Sequence, residues 1–391
     1  MSEGVLIVGG GLAGARCAET LRRIGYEAPI RVLCAEAHVP YDRPPLSKEL
    51  LDPVSPGELP ALRTLDWYTE RGIEVIRGSR AEALDPDARE VTLAGGERLR
   101  YDDLVIATGS RPRTLELLRG FENVSTLRTF EDAGVIRELL ARRAKLAIVG
   151  AGFIGQEVAA AARAAGAEVT VIEAEQAPLI GVLGPEIGAW FAQLHRSEGV
   201  ELLLGCQLVG ARSDGARVAA LELDGGGLVA CEHVLVGIGI VPDCAWVESA
   251  GLAGAAIETD ELGRTGHEHV YAAGDVAATL DTFLERHVAA GHWEAAARQG
   301  VQVATAIMGH DPAPSPLSSF WSDQYGKRIQ YLGHAELADE LTIDGEREAR
   351  DFVAEYTRAG ELVAALIVGR PRAVGELRER LRYMTERTPQ R

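Results

Sequence analysis

The chain opens on a four-residue apolar run, Val5-Leu6-Ile7-Val8, halted by glycines. A short continuous apolar run ended by a turn predicts a strand covered on both faces. A helix-like stretch and a second β-rich run, Ile30-Arg31-Val32-Leu33, follow, so residues 4–36 read as βαβ. The pattern returns over 144–173, from Leu146-Ala147-Ile148-Val149 through a glycine turn and a helix-like stretch to Val169-Thr170-Val171-Ile172. Between the copies lie a loop rich in proline and charge (38–60), short strand-like runs broken by turns (74–101) and a buried-strand run, Leu104-Val105-Ile106-Ala107. Arg111-Pro112-Arg113 reads as a linker.

After the second copy the pattern predicts a helix over 185–199 and strands over 201–204, 216–223 and 233–236. Strand-plus-glycine punctuation resumes after 237. It continues to Val270-Tyr271-Ala272-Ala273-Gly274-Asp275, a strand ending in a turn, and to an Ala-rich helix over 292–308. This predicts a second βαβ unit inserted into the first. The Pro-rich stretch 311–316 reads as a linker. Strand-like segments at 328–332, 351–356 and 361–367, then a charged helix over 375–383, predict a small α+β domain at the C-terminus. The expected fold class is α/β: two Rossmann-like dinucleotide-binding domains, the second inserted in the first, plus that C-terminal domain.

The two glycine turns carry the chemistry. They read Gly9-Gly10-Gly11-Leu12-Ala13-Gly14 and Gly150-Ala151-Gly152-Phe153-Ile154-Gly155. In such a turn the first glycine makes the tight bend, the second lets backbone approach a pyrophosphate, and the third lets helix pack on strand. The helix N-terminus then offers N–H groups and partial positive charge. Glu36 and Glu173 end the second strands, where a carboxylate can accept hydrogen bonds from a ribose diol. Two such units in one chain imply two dinucleotides, with electrons passing between them.

Composition narrows the rest. The 391 residues suffice for two or three domains, and 47% hydrophobic content is ordinary. A net charge of −18 argues against general nucleic-acid binding. The start runs directly into the first strand and no apolar run is long enough to span a bilayer, so a cytoplasmic protein without membrane association is expected. The nine histidines show no metal spacing, and no metal is expected. The five cysteines, Cys17, Cys34, Cys206, Cys231 and Cys244, are scattered and read as reduced thiols.

The stretch Tyr41-Asp42-Arg43-Pro44-Pro45-Leu46-Ser47-Lys48 gives the chain a family likeness. Further motifs join it: Ala107-Thr108-Gly109, Leu127-Arg128-Thr129 with Glu131-Asp132, and Phe153-Ile154-Gly155-Gln156-Glu157. Later come Gly237-Ile238-Gly239, Ala272-Ala273-Gly274-Asp275 and Phe320-Trp321-Ser322-Asp323-Gln324-Tyr325. In combination the chain resembles the FAD-dependent, NADH-using ferredoxin reductases of Rieske dioxygenase and bacterial P450 systems. That group lies within the glutathione-reductase-like flavoprotein superfamily. The resemblance implies an FAD domain over 1–111 and 238–313, an NADH domain over 112–237 and an interface domain over 314–391.

It also assigns residues. Gly9, Gly11, Ala13, Gly14 and Glu36 would hold FAD, with Ala107, Thr108, Gly109 and Gly274. Asp275 would bond the ribityl chain, Arg43 and Arg128 would lie along the cofactor, and Ala81 would meet the adenine end. Lys48 would approach the flavin near N5, and Trp293 and Trp321 would lie by the isoalloxazine. Gly150, Gly152, Phe153, Ile154, Gly155, Glu157, Glu173, Gly237, Ile238 and Gly239 would hold NADH. The implied partner is a [2Fe–2S] ferredoxin, Rieske-type or plant/adrenodoxin-type, serving an oxygenase of aromatic hydrocarbon catabolism. Disulfide reductases of the superfamily carry a cysteine pair after the first βαβ unit. Pro44-Pro45-Leu46-Ser47-Lys48 stands there instead, so the electrons must leave the flavin directly.

Lys48 and Glu157 are the candidate catalytic pair, the ammonium stabilising negative charge on the reduced flavin and the carboxylate fixing the ammonium. The alternatives are a surface lysine and a helix-surface glutamate. Glu173 would favour NADH, since its charge repels a 2′-phosphate and no arginine follows within Ala174-Glu175-Gln176-Ala177. Trp293 and Trp321 could equally be core aromatics, and Arg298, Lys327 and Arg328 a solvated cluster or a basic patch. Two other activities fit the Pro-Pro-Leu-Ser-Lys stretch, rubredoxin reduction and monodehydroascorbate reduction. An NADH-sensing interaction protein similar to apoptosis-inducing factor is the reading from another class.

Overall fold

The computed structural model describes residues 2–281, 283–289, 291–310 and 317–387. Its α-helices are α1 (Leu12–Arg23), α2 (Leu65–Glu70), α3 (Phe130–Ala141), α4 (Phe153–Ala164), α5 (Ile180–Ser197), α6 (Trp293–Ile307) and α7 (Ala373–Arg387). The chain forms two compact units, one from 1–42, 59–111 and 241–318, the other from 43–58, 112–240 and 319–391. The linker expected over 311–316 lies outside the described residues.

In the first unit Val5–Val8 is buried along its whole length, as an apolar run is when both sheet faces are covered. It pairs in parallel with Ile30–Leu33 and Asp103–Ile106, Val5 standing opposite both Ile30 and Asp103. Ile73–Ile76 and Val270–Ala272 complete the five-stranded sheet at its two edges. The strand Val270–Ala272 comes after the whole second Rossmann sheet in sequence, so the second unit of the pattern is inserted in the first. Helix α1 packs against α6 through small residues. A Cβ on Gly300 would stand 2.2 Å from the Ala13 carbonyl oxygen, so only glycine permits that crossing.

The second unit repeats the plan. Leu146–Val149 pairs in parallel with Val169–Glu173 and His233–Val236, Leu146 opposite Val169 and His233. Glu201–Leu204 and Val124–Ser125 form the edges. The helix expected from residue 185 begins one turn earlier. Gly184, at φ +78°, breaks the run, and Pro185 starts the regular part of α5. The arm Leu208–Asp214 was not anticipated from sequence because it is largely solvent-facing and shows no apolar alternation.

The C-terminal sheet is antiparallel and five-stranded, in the order Ser319–Gln324, Lys327–Gly333, Glu361–Val368, Asp351–Arg358, Glu340–Glu346. Tyr331, Phe352 and Leu366 on it share a core with Leu183, Ile187 and Phe191 of α5. Helix α7 packs on Glu361–Val368 and buries Leu377 and Leu381. Among the described residues no helix is long and apolar enough to cross a membrane.

Candidate functional site

The two glycine loops have the same construction. In the first, a Cβ on Gly9 would lie 2.0 Å from the Ala107 oxygen and one on Gly14 2.2 Å from the Gly9 oxygen. In the second, a Cβ on Gly150 would lie 2.4 Å from the Gly237 oxygen and one on Gly155 2.3 Å from the Gly150 oxygen. The first and third glycines are therefore dictated by the fold. The middle ones are not. Gly11 has nothing within 4 Å of its Cβ position, and Gly152 only the Gly237 oxygen at 3.8 Å. Both have ordinary negative φ and both precede a helix with no side-chain cap. An open glycine before an uncapped helix fits the close approach of a pyrophosphate.

The flanking acids are anchored. Glu36 accepts a hydrogen bond from the Tyr41 hydroxyl at 2.6 Å. Glu173 accepts from the Ala151 N–H at 2.6 Å and the Glu175 N–H at 3.0 Å, which ties its carboxylate to the second loop. Phe153 stacks edge-on with Phe320, ring centres 4.6 Å apart, while Ile154 is 43% exposed beside the loop. Gly237 donates its N–H to the Val149 carbonyl at 2.8 Å, Ile238 packs at the edge of the core and Gly239 turns at φ +98°.

The other residues assigned to FAD fall on both units. In the first, Ser110 donates to Asp275 at 2.8 Å and Thr108 to the Asp243 carbonyl at 2.7 Å. Gly274, at φ +81°, gives its N–H to the buried Gln299 at 2.7 Å. The Trp293 indole donates to Asp42 at 2.6 Å. Ala81 is buried in the core with Leu6 and Leu33. In the second unit, Arg43 donates to the Arg128 carbonyl, and the Arg128 N–H is held by Asp132 at 2.9 Å. Trp321 lies half-buried on Ser319–Gln324.

Lys48 and Glu157 meet across 109 residues of sequence. The Lys48 ammonium donates to Glu157 Oε2 at 2.7 Å, and the Ser47 hydroxyl donates to the same oxygen at 2.5 Å. Ser322 donates to the other oxygen, Oε1, at 2.7 Å. Glu157 is 4% exposed and Ser47 and Ser322 are buried, so neither member of the pair is a solvated surface charge. Three donors converge on one buried carboxylate and fix its position. Sequence reasoning found the pair but gave no role to Ser47 or Ser322. Their signal was position, one beside Lys48 and the other inside the Phe320–Tyr325 motif.

A cavity of about 670 Å³ beside α1 is lined by several arginines but is satisfied internally. Arg22 donates to the carbonyls of Arg71, Tyr26, Ala28 and Gly72. Glu19 pairs with Arg16 at 2.8 Å and Arg63 at 3.2 Å, and the Arg71 guanidinium lies 4.1 Å from the Trp67 ring centre. These arginines hold the first unit together.

Residues 3–300 match the family described as pyridine nucleotide-disulphide oxidoreductase. The chain belongs to that family. Residues 319–391 match the reductase C-terminal family. The chain is similar, at 36% identity over 93% of its length and 90% of the relative's, to the ferredoxin reductase subunit of a 5,5′-dehydrodivanillate O-demethylase from Sphingobium sp.. It is 34% identical, over 95% of its length and 90% of the relative's, to a benzene 1,2-dioxygenase system ferredoxin–NAD(+) reductase subunit from Pseudomonas putida. Among solved structures it resembles a covalent putidaredoxin reductase–putidaredoxin complex, with TM-score 0.93 and 33% identity over 99% of this chain and 94% of that one.

All five cysteines are free thiols, and Cys206 is half-buried. The other four, Cys17, Cys34, Cys231 and Cys244, are buried. Burial pushes the Cys17 thiol well above its ordinary range, Cys34 up to about 12 and Cys231 up to about 11. Such thiols stay protonated and unreactive at neutral pH. Among the described residues no cluster of histidine, cysteine or acid could hold a metal.

Proposed function

We propose that this chain is an NADH-dependent flavoprotein reductase that passes electrons from NADH through FAD to a [2Fe–2S] ferredoxin serving an oxygenase. One observation carries the reading: two glycine cradles of identical build, each open only at its middle glycine. FAD, when bound, would supply the redox chemistry that couples a two-electron hydride donor to a one-electron iron–sulfur acceptor.

The protein's part is to bind, orient and polarise. Gly9, Gly11, Ala13 and Gly14, with Glu36, Ala81, Ala107, Thr108, Gly109, Gly274 and Asp275, hold FAD. Arg43, Arg128, Trp293 and Trp321 belong to the same set. Gly150, Gly152, Phe153, Ile154, Gly155, Gly237, Ile238 and Gly239 hold NADH. Glu173, already fixed to the loop by the Ala151 N–H, offers its remaining lone pairs to a ribose diol and repels a 2′-phosphate. Lys48 holds its positive charge on the buried Glu157 carboxylate. A preorganised ammonium of this kind stabilises developing negative charge without reorganising. In this proposal the domains run over 1–111 with 238–313 (FAD), 112–237 (NADH) and 314–391 (partner-facing). The location is cytoplasmic, where NADH is supplied.

Steady-state turnover of the purified yellow protein with NADH tests this against its neighbours. Fast reduction of a [2Fe–2S] ferredoxin, and slow reduction of rubredoxin and of the ascorbate radical, is the expected pattern. Faster turnover with rubredoxin or the radical would move the assignment to that acceptor. An NADH-dependent change in oligomer size with slow electron transfer to every carrier would support a sensor instead.

A further inference from the structure

We propose that Tyr325 and His195 are positioning residues for the dinucleotide. Acting through Gln156, they hold the Ala151 carbonyl inward and so aim the Gly152 N–H at the phosphates. The inference rests on the reading of the second glycine loop as the NADH site.

The relay is continuous, buried at Gln156 and His195 and half-buried at Tyr325. Gln156, on the first turn of α4, donates its amide N–H to the Ala151 carbonyl at 2.8 Å. Its Oε1 lies 3.0 Å from Nε2 of His195 on α5. The other ring nitrogen, Nδ1, lies 2.7 Å from the hydroxyl of Tyr325. Tyr325 sits in the left-handed region, at φ +50°, in the turn that joins Ser319–Gln324 to Lys327–Gly333. Gln156 and His195 are each 1% exposed, so water does not substitute for these partners.

Every proton in the relay has one allowed place. The Ala151 carbonyl can only accept, so Gln156 must turn its NH₂ toward it and its oxygen toward His195. That oxygen can only accept, so His195 carries its proton on Nε2. Burial lowers the His195 pKa to about 4, against small opposing effects of Gln324 and Glu198, and the ring is neutral at pH 7. Its Nδ1 is therefore an acceptor, and Tyr325 must donate. The carbonyl thus fixes the glutamine, the glutamine fixes the histidine tautomer, and the tautomer leaves Tyr325 as the donor that braces the ring.

The effect on the loop follows from peptide geometry. The Ala151 carbonyl and the Gly152 N–H belong to one planar trans peptide and point in opposite directions. A carbonyl drawn inward by Gln156 leaves the Gly152 N–H pointing outward, at the glycine whose Cβ position is open. The preceding peptide is held as well, because the Ala151 N–H is bound by Glu173. The first loop lacks this device, for Ala15 stands where the second loop has Gln156. A nicotinamide dinucleotide must be bound afresh at every turnover, so a loop held in its binding geometry gains affinity each time.

The test is NAD⁺ binding to the FAD-loaded protein by calorimetry, with wild type, Tyr325→Phe and Gln156→Met. Tyr325→Phe removes one hydroxyl and leaves the ring packing in place. Each variant is expected to weaken binding about fivefold, the scale of one hydrogen bond, and the double variant no more than the stronger single. KM for NADH should rise by more than kcat at saturating NADH falls. Nitrogen-15 NMR should show His195 protonated at Nε2 in wild type, with the Nδ1 resonance losing its hydrogen-bond shift in Tyr325→Phe. Wild-type affinity in both variants, or a His195 proton on Nδ1, would overturn the relay alone. Failure of the wild type to bind NAD⁺ or NADH would remove the reading on which the relay stands.

Discussion

Glu157 shows how one residue acquires a function from its surroundings. On an exposed helix face it would be a solvated acid; here three donors converge on it, from Ser47, Lys48 and Ser322. Removing either partner of a buried ion pair leaves the other uncompensated, at about 3–5 kcal/mol. Lys48→Ala should therefore slow flavin reduction by NADH about 100-fold, and Ser322→Ala about tenfold by loosening the carboxylate. Rapid-mixing absorbance of the flavin measures both, and unchanged rates would remove the pair from the reaction. Glu173→Ser should narrow the preference for NADH over NADPH by about tenfold, read as the ratio of kcat/KM values. Sequence pattern reached Glu173 because strand, turn and acid lie close together in the chain. It reached the Lys48–Glu157 pair only through family likeness. It gave Ser322, His195 and Tyr325 no role, because their contacts join segments far apart in sequence.

Among the elements, the glycine loops are the most legible, since a tight bend, an open approach and a close helix crossing leave few residue choices. They also allow a sharp dissection. Gly11→Ala and Gly152→Ala place a methyl where the fold leaves space, so both variants should keep wild-type circular dichroism. Gly11→Ala should lose FAD while Gly152→Ala stays yellow and loses affinity for NADH. Gly155→Ala should lower stability by about 2 kcal/mol, because its methyl would meet the Gly150 oxygen at 2.3 Å. Retention of FAD by Gly11→Ala would exchange or void the cofactor assignment. Helix α3 escaped the sequence reading although its signal was present. Thr129 and Asp132 form a reciprocal capping box, a local pattern that hydrophobic runs do not reveal. The strand Glu340–Glu346 escaped because only Leu341 and Ile343 of its residues are apolar and pack on the core.

For the whole molecule, the insertion was readable because the strand at 270–272 restores the first sheet's pattern after the second is complete. The C-terminal domain was readable as α+β. That it supplies Ser322 and Tyr325 to partners on α4 and α5 was not, since nothing local in a β-hairpin announces such partners. Two buried histidines make stability depend on acid. Burial lowers His195 to about 4, and burial with Arg217 and Arg142 lowers His233 to about 4. The unfolded chain binds protons at these sites near pH 6.5, the folded chain only near 4, so stability is full above 6.5 and is lost as pH falls between the two. By pH 5 the loss is on the order of 2 kcal/mol for each histidine. The thermal midpoint should accordingly fall between pH 7 and pH 5, and a flat profile would show that neither ring is held neutral.

The central claim is that electrons enter from NADH and leave to an iron–sulfur protein. Anaerobic rapid mixing of the yellow protein with NADH, then with an oxidised [2Fe–2S] ferredoxin, follows both events by absorbance. The account predicts fast bleaching of the flavin by NADH, slow bleaching by NADPH, then cluster reduction as the flavin colour returns. A flavin that NADH does not bleach, or one that bleaches yet delivers no electrons to any [2Fe–2S] ferredoxin, would contradict it.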